Sequence, residues 1–126
     1  MQSNYVKRKA DLKLRAYYFA LDVIRLVDKL PRQDWSIEVI VKQLLRCVTS
    51  IGANIIEAQA GSSKKDFINF FSYALKSANE TKFWLCLLRD SGKAQKLDLN
   101  SPLQEAVEIA NMVGSSILTM KGKKKY

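Results

Sequence analysis

Glu57 and Glu80 are the side chains of this sequence that come closest to a catalytic pair. They fall on two predicted helices joined by a very short hinge, so the helices are antiparallel neighbours and the two carboxylates can face each other. Facing carboxylates can perform general acid–base catalysis. Arginine and lysine on the same helices, such as Arg46 and Lys76, favour structural ion pairs instead. We therefore assign no catalytic residue.

Several kinds of chemistry are missing from the sequence. The chain has no histidine, which removes Ser-His and Cys-His nucleophile pairs and the Glu-x-x-His ligands of di-iron bundles. The segment 61–65, Gly-Ser-Ser-Lys-Lys, lacks the first glycine and the Lys-Ser/Thr ending of a phosphate-binding loop. Cys47 and Cys86 have no CxxC spacing and are expected to be small, reduced, buried side chains. The sequence predicts no enzyme activity, no cofactor and no metal site.

Positive charge is the strongest compositional signal. The 126 residues contain 21 Lys and Arg against 12 Asp and Glu, a net charge of +9. Such an excess favours association with polyanions, although a solvated basic surface that only aids solubility remains the alternative. The candidate phosphate-binding residues form two clusters near the termini: Lys7, Arg8, Lys9, Lys13 and Arg15, then Lys121, Lys123, Lys124 and Lys125.

Helical periodicity accounts for most of the chain. Apolar residues at alternating three- and four-residue steps predict helices over about 9–30, 36–60, 64–91 and 102–121. The second helix has the clearest apolar seam, and Gly52 within it favours a bend or a close helix contact. The seam consists of Ile37, Val41, Leu44, Val48, Ile51, Ile55 and Ala58.

Local signals predict where the helices start and stop. Leu30-Pro31 ends the first helix, Asp34 or Ser36 caps the second, and Gly61 stops it. Ser62 or Ser63 caps the third helix. Ser101 and Pro102 are read as the N-cap and first residue of the fourth, with Gln104 completing a capping box. No strand pattern competes. The prediction is one all-α domain over 1–126, an up-down-up-down four-helix bundle with flexible basic termini at 1–8 and 121–126.

Polar residues follow the apolar seam along the central hairpin. We interpret Arg46, Asn54, Glu57 and Glu80 as a partly buried network, with Arg46–Glu80 and Asn54–Glu57 contacts, that fixes helix register or a subunit contact. The alternative is that these side chains are simply solvated.

The same hairpin carries a family resemblance. Segments 50–58 (Ser-Ile-Gly-Ala-Asn-Ile-Ile-Glu-Ala), 62–67 (Ser-Ser-Lys-Lys-Asp-Phe) and 78–85 (Ala-x-Glu-Thr-x-x-Trp-Leu) resemble the four-helix-bundle proteins encoded in intervening sequences of bacterial 23S ribosomal RNA genes. The accessory variability determinant of diversity-generating retroelements is a more distant relative. Gly52 and Ala58 stand where the family pattern has Pro and Gly.

The resemblance implies a small homo-oligomer, most often a pentamer, with a surface suited to nucleic acid. The retroelement relative is a partner of a reverse transcriptase, which makes such an enzyme a candidate partner here. The leading hypothesis is a cytoplasmic, non-enzymatic, oligomeric protein that binds RNA or DNA phosphates. The alternative is a protein-binding scaffold or accessory subunit without a nucleic-acid function of its own. We expect no membrane partner, because the longest apolar runs are too short to cross a bilayer.

Overall fold

The computed structural model describes residues 11–122, which form four helices and no strand. The helices are α1 (Leu12–Val27), α2 (Trp35–Ala60), α3 (Lys64–Asp90) and α4 (Lys96–Met120). Each helix packs against two neighbours in the ring α1–α2–α3–α4, and diagonal pairs make no contact. The predicted all-α, up-down-up-down four-helix bundle is confirmed.

Three of the helices begin at a side-chain cap. Asp11 accepts a hydrogen bond from the Leu14 amide (2.9 Å), Asp34 accepts one from Ile37 (3.1 Å) and Ser63 accepts one from Asp66 (3.0 Å). These bonds satisfy amide groups that the first turn of a helix leaves without a partner. Of the alternatives left open by the sequence, the structure selects Asp34 for α2 and Ser63 for α3.

The core is built from the predicted seams. The α2 seam is buried apart from half-buried Val41, and Leu85 and Leu88 of α3 are fully buried. Gly52 faces Ala16 of α1, but a Cβ built at Gly52 would lie 3.7 Å from the Ala16 Cβ, an ordinary van der Waals distance, so the packing does not require glycine here. Helix α2 runs through this position without interruption.

Two predicted boundaries are wrong. Helix α1 ends at Val27 rather than Leu30, and α4 begins at Lys96 rather than Pro102. The extra residues of α4 bury Leu99 completely, so core packing outweighs the hydrogen bond that Pro102 cannot donate inside a helix. Gln95 takes the N-cap position without a side-chain hydrogen bond, and the expected capping box is absent.

Helix α2 bears on the expectation about membrane spans. Its best 18-residue window has a mean hydropathy of 1.4, so by length and composition it could cross a membrane. One such helix is weak evidence, since the central helix of a bundle passes the same test. Seven α2 side chains are buried here.

Candidate nucleic-acid interface

The α2–α3 turn and the last turn of α4 meet at one end of the bundle. Met120 of α4 lines the same open pocket as Ala58 of α2 and Phe67 of α3. The start of α1 lies toward the same end, because α1 is antiparallel to both α2 and α4. We call this the hinge end: the turn at 61–63 with the adjoining ends of α1, α3 and α4.

The hinge end carries four exposed lysines, which are Lys13, Lys64, Lys65 and Lys121. None of them forms an ion pair with another residue in the range 11–122. At the opposite end, Arg32, Arg89 and Lys93 pair with Asp28 (3.3 Å), Asp90 (2.7 Å) and Asp34 (2.7 Å), whereas Lys29 and Lys96 form no ion pair with a residue in this range.

Two carboxylates moderate the charge of the hinge end. Asp11 caps α1, and Asp66 lies in the first turn of α3. Both sit at helix N-termini, where a negative charge is favourable. The sequence continues from this end into basic runs on both sides. Those runs contain the predicted residues Lys7, Arg8, Lys9, Lys123, Lys124 and Lys125, which lie outside the described residues.

Lys64 and Lys65 were missed as candidates. The sequence signal was present, since both lysines follow the Gly-Ser-Ser hinge directly. Antiparallel connectivity places that hinge beside the end of the fourth helix. The predicted phosphate-binding residues came from the two termini only and did not include this hinge.

Arg15 does not belong with the other predicted phosphate-binding residues. Its side chain is only 6% exposed, and its guanidinium forms a two-pronged ion pair with Glu105 (2.8 and 2.9 Å). It also pairs with Glu108 and lies 3.2 Å from the Met112 sulfur. The hydrogen bond to Glu105 raises the pKa of Arg15 further above its ordinary value. Arg15 joins α1 to α4 and is not free to bind a phosphate.

The central hairpin contains the Arg46–Glu80 ion pair that the sequence suggested. Glu80 also accepts a hydrogen bond from the Trp84 indole (3.0 Å), and Arg46 donates to Gln43 (3.0 Å). The Arg46 and Glu80 side chains are 57% and 37% exposed, so this pair lies at the surface and is less buried than predicted.

The expected Asn54–Glu57 contact is wrong. The Asn54 amide donates to the Ser50 carbonyl and hydroxyl oxygens (2.9 Å each), whereas Glu57 is exposed. The Ser77 hydroxyl lies 2.9 Å from the Ser50 hydroxyl, so Asn54 connects to α3 through these two serines. Glu57 and Glu80 do not face each other, because Glu80 lies opposite Arg46, which precedes Glu57 by about three helical turns on α2.

Neither cysteine forms a disulfide. Cys47 is buried, with the Thr81 hydroxyl 3.2 Å from its sulfur, and Cys86 is half-buried. Burial raises the pKa of Cys47, which disfavours the reactive thiolate. Within residues 11–122, no three acidic or cysteine side chains are grouped so that they could hold a metal ion.

Fold and site together define a class: a basic, all-α, up-down-up-down bundle with a group of four exposed lysines at the hinge end. Residues 8–115 match the family model of the 23S rRNA-intervening sequence protein. The chain belongs to this family, as its hairpin sequence predicts.

A solved structure supports the assignment. The chain is similar to a protein of unknown function from the S23 ribosomal protein family of Bacteroides thetaiotaomicron VPI-5482. The two share 36% sequence identity with a TM-score of 0.75, covering 84% of this chain and 97% of the other. No curated protein matches the chain.

Proposed function

We propose that this chain is a non-enzymatic accessory protein that binds RNA or DNA through phosphate contacts at the hinge end. The observation that carries the proposal is the group of four exposed lysines without ion-pair partners at that end. The basic runs that flank the described residues add six further cations in sequence. The family name, 23S rRNA-intervening sequence protein, favours a nucleic acid as the polyanion.

The proposed contacts are electrostatic and independent of base sequence. Lysine ammonium groups act as point charges that bind phosphate oxygens and release condensed counterions. Phosphate contacts of this kind position a protein on a nucleic acid but carry no sequence information. Binding is therefore expected to be strong at low salt and weak at high salt.

A charge-matched pair of variants tests the location of the interface. One variant replaces Lys64, Lys65 and Lys121 with Gln, and its control replaces Lys29, Lys76 and Lys96, three exposed lysines elsewhere. Both lose three positive charges. Fluorescence anisotropy with a labelled RNA should show affinity at least about tenfold weaker for the hinge-end variant than for the control. Equal losses in the two variants would contradict the proposed interface.

We further propose that the protein self-associates, with the pentamer implied by the family resemblance as the expected form. Helix α1 is apolar on two opposite faces. Phe19 and Val23 are buried, while an outer stripe on the other face is exposed or half-buried. The outer stripe consists of Leu14, Tyr17, Leu21 and Ile24. A patch of this kind on a monomer is typical of an interaction surface, and a second copy that covers it would multiply the hinge-end charge.

Light scattering tests this self-association. Tyr17, 62% exposed, lies within the outer stripe, and Tyr73, 54% exposed, lies on α3. Tyr17→Glu should reduce the mass in solution, because it buries a charge in the contact, while Tyr73→Glu should leave the mass unchanged. A wild-type protein that is monomeric at all concentrations would contradict the proposal.

The outer stripe also favours a second candidate function. It suits another protein as well as a second copy, so the chain can act as a scaffold or accessory subunit, for example of a reverse transcriptase. RNA binding separates the two functions. A protein that binds no nucleic acid even at low salt is a scaffold, and the hinge-end lysines then serve only in electrostatic steering.

A further inference from the structure

The hinge end contains an open pocket of about 390 Å³. Ala58, Phe67 and Met120 give it an apolar floor, and Gln59 and Ser62 give it a polar rim. Phe67 is held in place by stacking on Phe71, with ring centroids 4.2 Å apart and an interplanar angle of 24°. This stacking fixes the position of Phe67 in the floor. The volume of the pocket lies near the lower end of the range for pockets that hold small organic groups.

Positive charge surrounds this floor. Lys64 lines the pocket itself, Lys65 follows it, and Lys121 follows the lining residue Met120 at the end of α4. None of the three lysines is neutralised by a carboxylate within residues 11–122. The pocket thus combines an aromatic and apolar surface with neighbouring cations, and Asp66, whose Cβ lies beside the lining residue Gly61, is the one carboxylate in the first turn of α3.

A nucleotide has the complementary chemistry. Its base offers two apolar faces and a polar edge, and its phosphates carry negative charge on both sides of the base along the strand. Proteins that bind single strands combine these two contacts, with bases stacked on aromatic side chains and phosphates held by a basic surface. A base inside a duplex has both faces stacked on its neighbours and cannot enter such a pocket.

We propose that this pocket takes one unpaired nucleobase of a single-stranded RNA or DNA, while Lys64 and Lys121 bind the adjoining phosphates. This inference rests on the proposed nucleic-acid function and deepens it, because it makes an unpaired strand, rather than a duplex, the preferred ligand. Gln59 and Ser62 meet the polar edge of the base, and Phe67 and Met120 meet its face.

The test compares single strands with a duplex. Labelled uridine and thymidine oligomers of about ten nucleotides, and a duplex of equal length, are titrated with wild-type protein, Phe67→Leu and Phe83→Leu. Phe83 is an exposed aromatic on the same helix, 56% exposed. Phe67→Leu should weaken binding to both single strands about fivefold or more, and duplex binding should stay within about twofold. Phe83→Leu should change neither.

A second variant distinguishes loss of the pocket from a folding defect. Ser62 is exposed, so Ser62→Leu fills the pocket without disturbing the core, and circular dichroism verifies the fold. It should reproduce the selective loss of single-strand binding. Equal affinity for single strands and duplex, with both variants unchanged, would overturn the pocket assignment and leave the phosphate interface standing. Absence of binding to every nucleic acid would overturn both proposals.

Discussion

At the scale of single residues, Arg15 shows how a cation can be taken out of a predicted interface. It falls in a basic stretch of sequence, but it lies on the side of α1 that faces α4. There Glu105 and Glu108, three positions apart on α4, present two carboxylates to one guanidinium. The sequence contains all three residues, but which helix faces Arg15 is decided only by the assembled bundle.

Removing this cation should destabilise the fold. In Arg15→Met the two carboxylates, 19% and 33% exposed, lose the guanidinium, although Glu108 keeps its hydrogen bond from Gln104 (2.9 Å). Breaking a buried ion pair costs about 3–5 kcal/mol, and the partial exposure here reduces the expected loss to about 2–3 kcal/mol. Arg46→Met removes an exposed pair and should cost under about 1 kcal/mol. Urea unfolding followed by circular dichroism measures both.

A rescue experiment separates lost charge pairing from lost packing. Adding Glu105→Gln and Glu108→Gln to Arg15→Met removes the two negative charges that the guanidinium had balanced and should restore part of the stability. If Arg15→Met and Arg46→Met cost the same, the buried ion triad does not hold α1 to α4 in the way that the geometry indicates.

The polar residues of the hairpin were predicted unevenly for a geometric reason. Arg46 and Glu80 lie at matching heights on antiparallel neighbours, so hairpin register alone suggests their contact. Asn54 had two partners within reach, Ser50 four residues before it and Glu57 three residues after it. In the structure, the Asn54 side-chain amide donates a hydrogen bond to Ser50, whose hydroxyl also contacts Ser77 of α3. The direction of the side chains between α2 and α3 decides which partner Asn54 binds. The periodicity of the sequence does not give this direction.

At the scale of helices, α4 shows a local signal overruled by packing. Ser101-Pro102 is a standard helix start in sequence, yet α4 begins six residues earlier, at Lys96. The additional turns place Leu99 in the core, where it is fully buried. Burial of a leucine is worth about 1.5–3 kcal/mol, comparable to the cost of an interior proline.

Replacing this proline should stabilise the protein. Pro102→Ala supplies the amide that an α-helix uses at this position, and we expect a gain of about 1–2 kcal/mol in the free energy of unfolding. Asn111→Ala, an exposed position on the same helix, gains helix propensity alone, about 0.5 kcal/mol. Chemical unfolding of the two variants gives the comparison. A loss of stability in Pro102→Ala would contradict an α4 that is helical from Lys96.

Helix α1 was predicted as a helix, but the sequence does not show which of its faces enters the core. Tyr17 and Ile24 are exposed, whereas Phe19 on the other side of the helix is buried. The helix has apolar residues on opposite sides, so periodicity gives two equally good stripes. The positions of α2 and α4 decide which stripe enters the core.

At the scale of the whole molecule, topology was the most predictable property. Long apolar seams, few breakers and a three-residue hinge leave an antiparallel bundle as the natural arrangement, and the hairpin motifs pointed to the correct family. The candidate interface was harder to predict from the sequence. Lys64 and Lys65 belong to it only because the α2–α3 turn meets the end of α4, a relation between residues far apart in sequence.

The charge pattern follows from the same topology. Up-down-up-down connectivity brings the start of α1, the hinge and the end of α4 together, so separate lysines share one surface. Three cations at the other end are paired with carboxylates, while Lys29 and Lys96 there form no ion pair within residues 11–122. Lysines that are far apart in the sequence therefore become neighbours at the hinge end.

The salt dependence of RNA binding tests the central claim most directly. The logarithm of affinity should fall linearly with the logarithm of salt concentration, with a slope of about −0.7 for each phosphate neutralised on a single strand. Removal of Lys64, Lys65 and Lys121 should make the slope shallower by about 2 per protomer. The matched removal of Lys29, Lys76 and Lys96 should leave the slope near the wild-type value. A hinge-end variant with the wild-type slope, or a wild-type protein whose RNA affinity does not change with salt, would contradict phosphate binding at the hinge end.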